Sequence, residues 1–269
     1  MRQLTAIAQV TFKEGIRERV FLGVIVFSVL LFLGSGFVAD LSIGNILKVT
    51  QDIGLSGLSF LGLFMAIFLS TSLIAKDLDK KTVYLVVSKP IARWQYVWGK
   101  FLGLCALTTF ALAIGLIAFL ISLFYFWKTA PLIQTPHIAW TKHLLAFIFL
   151  NFKMFLLIAI AIFFSSFCSS SLIAFFFSFM FYLTGANLQN VKMILSSRLG
   201  EKVSPYLKAI FNFAYYFLPN LSLLDLKQAA VHNLPLNESN LILVLIYALS
   251  YTMALLFGAS FIFSKKELN

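Results

Sequence analysis

Lys153 is the residue with the most unusual chemistry in this chain. It lies inside the apolar run LLAFIFLNFKMFLLIAIAIFF, with Asn151 two positions before it. About ten residues into such a run, a helical lysine sits roughly 15 Å from the start. Placing a lysine at that depth in a bilayer costs about 2.5–3.5 kcal/mol. No acidic residue falls within an expected span except near the ends. Two readings stay open: Lys153 lines a pathway and meets an anionic group, or it snorkels outward from a span whose boundary lies elsewhere. Thr184, Asn187 and Gln189 close another apolar run and are placed to face an outer exit of the same pathway.

Covalent chemistry finds little support. The chain has no GxxxxGK[ST] phosphate-binding loop, and no His-rich cluster or carboxylate pair. No catalytic, cofactor-binding or metal-binding residue is expected. Cys105 and Cys168 lie in or beside apolar stretches and read as small packing residues. They make neither a metal spacing nor a disulfide framework. His137, His143 and His232 are scattered over expected loops. The serines at 165, 166, 169, 170 and 171 suit a tight turn better than a binding site.

The elements that hold these residues follow from composition. The 269 residues are 61% apolar, 16% aromatic and 12% charged, with a mean hydropathy of +0.94. A soluble domain carries about 25% charged residues. So much apolar surface needs lipid around it, and the expected class is an all-α integral membrane protein. The net charge of +11 then points to anionic headgroups rather than nucleic acid. The apolar run from Val20 is too long for a cleavable signal peptide, and no small-residue cleavage site follows it.

A crossing helix needs about 20 apolar residues. Six runs qualify, at about 20–38, 54–75, 101–126, 144–166, 171–188 and 241–263, and together make one transmembrane domain over 1–269. Residues 1–19, the 76–100 loop and the tail carry twelve Lys or Arg, against eight on the other side. That asymmetry makes both termini and the loop cytoplasmic. Trp94 and Trp98 would mark the inner interface, and Trp127 and Trp140 the outer one.

Two segments are neither spans nor short loops. Leu4, Ile7, Ala8, Thr11 and Gly15 form a helical stripe, with Gln9, Lys13 and Arg17 off it. This reads as a helix in the inner interface before the first span, or as a cytoplasmic extension of that span. Segment 189–240 is too long for a plain connection. Its apolar stretch IFNFAYYFL, too short to cross, precedes Pro219. One or two short helices broken at Pro219 are expected, capping the outer side or dipping into it.

The cytoplasmic loop holds a short apolar hexad, Thr82 to Val87, among basic residues. Ser88 suits an N-cap and Pro90 the first turn of a helix that runs through Trp94 and Trp98 into the third span. An apolar patch outside the membrane suggests protein docking; a plain positive-inside anchor is the alternative. The run KTVYLVVSKPIARWQYVWGK resembles the first cytoplasmic loop of type-2 ABC transporter permeases. Thr82, Leu85, Ser88, Pro90, Arg93, Gly99 and Lys100 match that pattern in order and spacing. Asp77 stands where a Glu is common, and Lys81 where a Gly is usual. Six spans, an N-terminal interfacial helix and a long outer segment agree, and LPNLSLLDL resembles a stretch found there in one bacterial branch.

The resemblance implies the membrane subunit of an ABC exporter in the bacterial inner membrane. Two permeases, as two copies or as paralogues, would form a pathway above two ATPase subunits, which carry the ATP and Mg. Residues 77–88 would form the coupling helix. Asp77, Thr82, Tyr84, Leu85, Ser88, Pro90 and Arg93 are the expected coupling residues; Lys153, Asn151 and Asn187 are the candidate pathway residues. A membrane scaffold that recruits a cytosolic partner through the same loop is the second class of function. An intramembrane enzyme is disfavoured. Lipid, glycan, peptide, drug and support of metal-centre assembly all stay open as the substrate or task.

Overall fold

A computed structural model describes residues 2–18, 21–24, 26–30, 34, 46–79, 93–129, 138–168, 170–197 and 204–265. All regular structure among them is helical. The order is α1 (Arg2–Arg17), α2 (Phe21–Leu30), α3 (Ile46–Phe64), a π turn (Met65–Leu69), α4 (Ser70–Asp79), α5 (Arg93–Thr129), α6 (Trp140–Phe167) and α7 (Ser171–Ser196). Then follow α8 (Pro205–Phe217), a 3-10 turn (Leu221–Leu224), α9 (Lys227–Val231) and α10 (Glu238–Lys265).

Among the described residues, five stretches are long and apolar enough to cross a membrane: Leu47–Lys76, Trp94–Lys128, Trp140–Phe167, Ser171–Ser196 and Ser239–Lys265. Each contains one of the expected spans and extends beyond it. α3 starts at Ile46 rather than near 54, so Lys48 and Asp52 are helical. Of the expected first span, the described part is mainly α2, and most of the remainder lies outside the described residues. Thr82, Tyr84, Leu85, Ser88 and Pro90 also lie outside them, whereas Asp77 falls in the last turn of α4 and Arg93 opens α5.

α6 is the centre of the fold. From Leu156 to Ile162 every residue is buried, because α3, α4, α5, α7 and α10 all pack on this helix. Most hydroxyls inside the apolar helices satisfy themselves locally. Ser28, Ser59, Thr71, Thr108, Ser178 and Thr252 each donate to the carbonyl one turn back, which pairs those donors away from water; the buried hydroxyls of Ser70, Ser165 and Ser260 have no partner among the described residues. Of the serine-rich stretch, Ser165 and Ser166 are helical in α6, and Ser169 lies outside the described residues. α6 ends at Phe167, Cys168 and Ser170 are extended, and α7 begins at Ser171.

The N-terminal stripe faces protein. Thr11 is fully buried, and α1 lies along α5. A Cβ on Gly99 would come within 2.8 Å of Ile7, and one on Gly103 within 2.7 Å of the Ala8 carbonyl oxygen. The Gly99-x-x-x-Gly103 spacing thus lets the two backbones approach where larger residues would hold them apart.

Candidate functional site

The connection between α7 and α10 turns into the bundle. Ser204 caps α8, accepting a hydrogen bond from the Leu207 backbone N–H at 3.4 Å, and Pro205 opens the helix. α8 ends at Phe217, and the chain breaks at Pro219 as its rigid ring requires. The 3-10 turn and α9 then pack against α3, α6 and α7. Leu221, Leu224, Ala230 and Val231 are buried. Asn233, at a φ of 52°, takes the left-handed conformation that asparagine tolerates and turns the chain towards α10.

Side chains from the long helices fix this connection at successive points. Tyr251 of α10 donates to the Phe217 carbonyl, and Tyr247 accepts from the Asn220 N–H at 2.9 Å. Ser222 donates to Asn220 Oδ1 at 2.5 Å. Gly185 of α7 gives the backbone room, since a Cβ there would lie 2.6 Å from the Pro219 carbonyl oxygen. Lys142, in the first turn of α6, donates to Asn233 Oδ1 and to the Leu234 carbonyl at 2.8 Å.

The deepest of these contacts is an ion pair. Lys153 Nζ lies 2.9 Å from Asp225 Oδ2, with the lysine side chain 4% exposed. Lys153 is about 20 Å along the helix from Trp140 and about 16 Å from Lys142, so the connection descends to the middle of α6. Lys227 Nζ approaches the same carboxylate oxygen at 3.7 Å, and its backbone N–H donates to Asp225 Oδ1 at 3.3 Å. The Tyr182 ring lies 6.0 Å from the Lys153 ammonium. Burial alone would raise the Asp225 pKa, but the Lys153 charge and hydrogen bond, with Lys227, outweigh it and hold the carboxyl below its ordinary value. A small cavity lined by Leu55, Ser59, Leu150 and Leu226 adjoins the pair.

The other two candidate pathway residues do not join this cluster. Asn151 is buried, but two residues along a helix point about 200° apart, and its amide donates to the Phe147 carbonyl at 2.8 Å. Its Oδ1 has no partner among the described residues. Asn187 is exposed on α7 and donates to the Leu183 carbonyl; Thr184 likewise donates to the Met180 carbonyl. His143 is a correction to the sequence reading. It is a buried helical residue of α6 rather than a loop residue, with Nδ1 3.0 Å from the Ala139 carbonyl oxygen. Asp225 was missed. Its one local signal was an acid inside the apolar stretch LSLLDL.

A second charged cluster sits where α1, α4 and α5 meet. Glu14 in the last turn of α1 and Glu18 just past its end face Lys76 near the end of α4. The Lys76 ammonium is 3.1 Å from Glu14 and 2.5 Å from Glu18. Lys100 of α5 reaches the other Glu14 oxygen at 3.7 Å.

A family model described as ABC-2 family transporter protein matches residues 5–268. No curated protein matches the chain.

Proposed function

The chain belongs to the ABC-2 family of transporter proteins, and on that premise we propose that it is the membrane-spanning subunit of an exporter driven by a separate ATPase. The match over nearly the whole chain carries this reading, and five apolar helices of crossing length agree with it. The chain has no GxxxxGK[ST] loop of its own, so hydrolysis falls to a partner, and the permease contributes a change of conformation.

In this reading both termini are cytoplasmic in a bacterial inner membrane, and α1 lies at the inner interface. α2 belongs to the first of six spans. Residues 77–88 dock a dimer of ATPase subunits, with Tyr84 and Leu85 as anchors and Asp77, Thr82, Ser88, Pro90 and Arg93 around them. A second permease, identical or related, completes the pathway. The faces of α7 and α10 that this chain leaves uncovered, including Phe176, Met180, Ile246 and Phe257, meet lipid or that second copy.

The α7–α10 connection closes the outer end of the pathway. Asp225 occupies Lys153 in the closed state, and when the connection lifts, Lys153 becomes available to an anionic group on the substrate. Asn151 and Asn187, which face away from Lys153 in the closed state, are the other candidate pathway residues. The test is affinity purification of the tagged chain from its native membrane. A co-purifying subunit with a GxxxxGK[ST] loop, and ATP hydrolysis by the pair, are expected. Purification as a lone chain under conditions that preserve known assemblies would overturn the reading.

A further inference from the structure

Glu14 and Glu18 link the two helices from which the proposed coupling loop springs. Lys76 stands in the last turns of α4, just before that loop in sequence, and Lys100 stands in α5, just after it. Both reach Glu14 in the last turn of α1, and Lys76 also reaches Glu18 just past that helix. α1 itself is packed into α5 through glycines: besides Gly99 and Gly103, a Cβ on Gly15 would fall 2.1 Å from Leu107 Cδ2. Helices this close cannot slide past each other without a clash. α1 and α5 therefore move as one body, and the Lys76 ion pairs fasten that body to α4.

Charge and exposure suit a joint better than a structural rivet. Lys76 is 34% exposed and its partners 25% and 30%. Ion pairs as exposed as these add little to stability, while they do fix the register of the groups they join. We propose that Glu14 and Glu18 are positioning residues for coupling: they hold the two roots of the loop at a fixed separation, so that a push on the loop moves α4 and α5 together. The proposal rests on the reading that a separate ATPase drives this chain.

The test uses the full complex with its ATPase, in vesicles, with Mg·ATP and vanadate as the probe. Coupling is read as the change in labelling rate of Ser222→Cys by an impermeant maleimide when vanadate traps the ATPase. The unaltered joint should give a change of about fivefold or more. Lys76→Glu should abolish that change while leaving ATPase co-purification and basal hydrolysis intact, and adding Glu18→Lys should restore it. A Lys76→Glu complex that still couples fully would overturn the proposal, as would a loss that Glu18→Lys fails to rescue. If Lys76→Glu does not assemble, Lys76→Gln removes the charge without reversing it: loss of the vanadate-induced change supports the proposal, and full coupling overturns it. Failure of the unsubstituted chain to capture any ATPase would instead overturn the transporter reading.

Discussion

Lys153 of α6 and Asp225 of the α7–α10 connection form a 2.9 Å ion pair across 72 residues of sequence, halfway along the most buried helix of the bundle. The lysine side chain is 4% exposed and the aspartate side chain 26%, so the Lys153 charge is the one that depends most on its partner. Asp225→Asn should destabilise the protein in detergent by about 3–5 kcal/mol, because it leaves the buried Lys153 charge without its partner; Lys153→Met should cost less, because Asp225 is partly exposed and keeps Lys227 at 3.7 Å. Lys153→Met with Asp225→Asn should lose less than the sum of the two single changes. Thermal unfolding of the four proteins checks this. Additive losses in the double variant would show that the pair is not coupled.

Gly185 sets the seat of the connection. Any side chain there must displace the Pro219 carbonyl, since even a Cβ would approach it to 2.6 Å. Gly185→Val should lift residues 218–222 from α7, and a cysteine replacing Ser222 should then react faster with maleimide. Unchanged reactivity would mean that the connection is held without this close approach.

The two tyrosines of α10 act on the same stretch through hydrogen bonds. Tyr247→Phe leaves the Asn220 N–H without its acceptor, and Tyr251→Phe leaves the Phe217 carbonyl without a donor. Each should cost about 0.5–1.5 kcal/mol, far less than breaking the ion pair. Equilibrium unfolding of the single variants measures it, and a loss as large as that of Asp225→Asn would contradict this ranking.

Hydropathy made five of the spans legible, because lipid demands apolar side chains all round a helix. The ends were less so. α7 continues through Asn187 and Lys192 to Ser196, since backbone hydrogen bonding carries a helix on after the apolar run has stopped. The stripe of Ile7, Ala8, Thr11 and Gly15 was legible, but its partner was not: an apolar stripe fits a headgroup layer or a neighbouring helix equally well. The glycines at 99 and 103 were the sign that a helix lies there. Lys153 stood out at once, and the break at Pro219 was readable from the ring of proline. Their meeting at Asp225 was not, because no local pattern records which distant segment folds back onto a helix.

Topology is checked by cysteine labelling in a Cys105→Ala, Cys168→Ala background. In sealed cells an impermeant reagent should reach Asn237→Cys, which is exposed just before α10, and miss Lys80→Cys. The opposite pattern would invert the orientation and place the α7–α10 connection in the cytoplasm.

Docking of the ATPase through residues 77–88 is the most direct test of the transporter reading, and Tyr84 and Leu85 are the side chains to remove. Aromatic and aliphatic anchors in a pocket dominate most interfaces, and two anchors each worth above about 1 kcal/mol together set a factor of about tenfold or more. The measurement is the affinity of the purified ATPase subunit for vesicles carrying either the unsubstituted chain or the Tyr84→Ala, Leu85→Ala double variant. Neither residue falls within an expected span, so insertion should be unaffected. Tight binding to the first and binding at least about tenfold weaker to the second is the predicted result. Equal affinity for both would contradict it, and would leave the 76–100 loop as a positively charged membrane anchor.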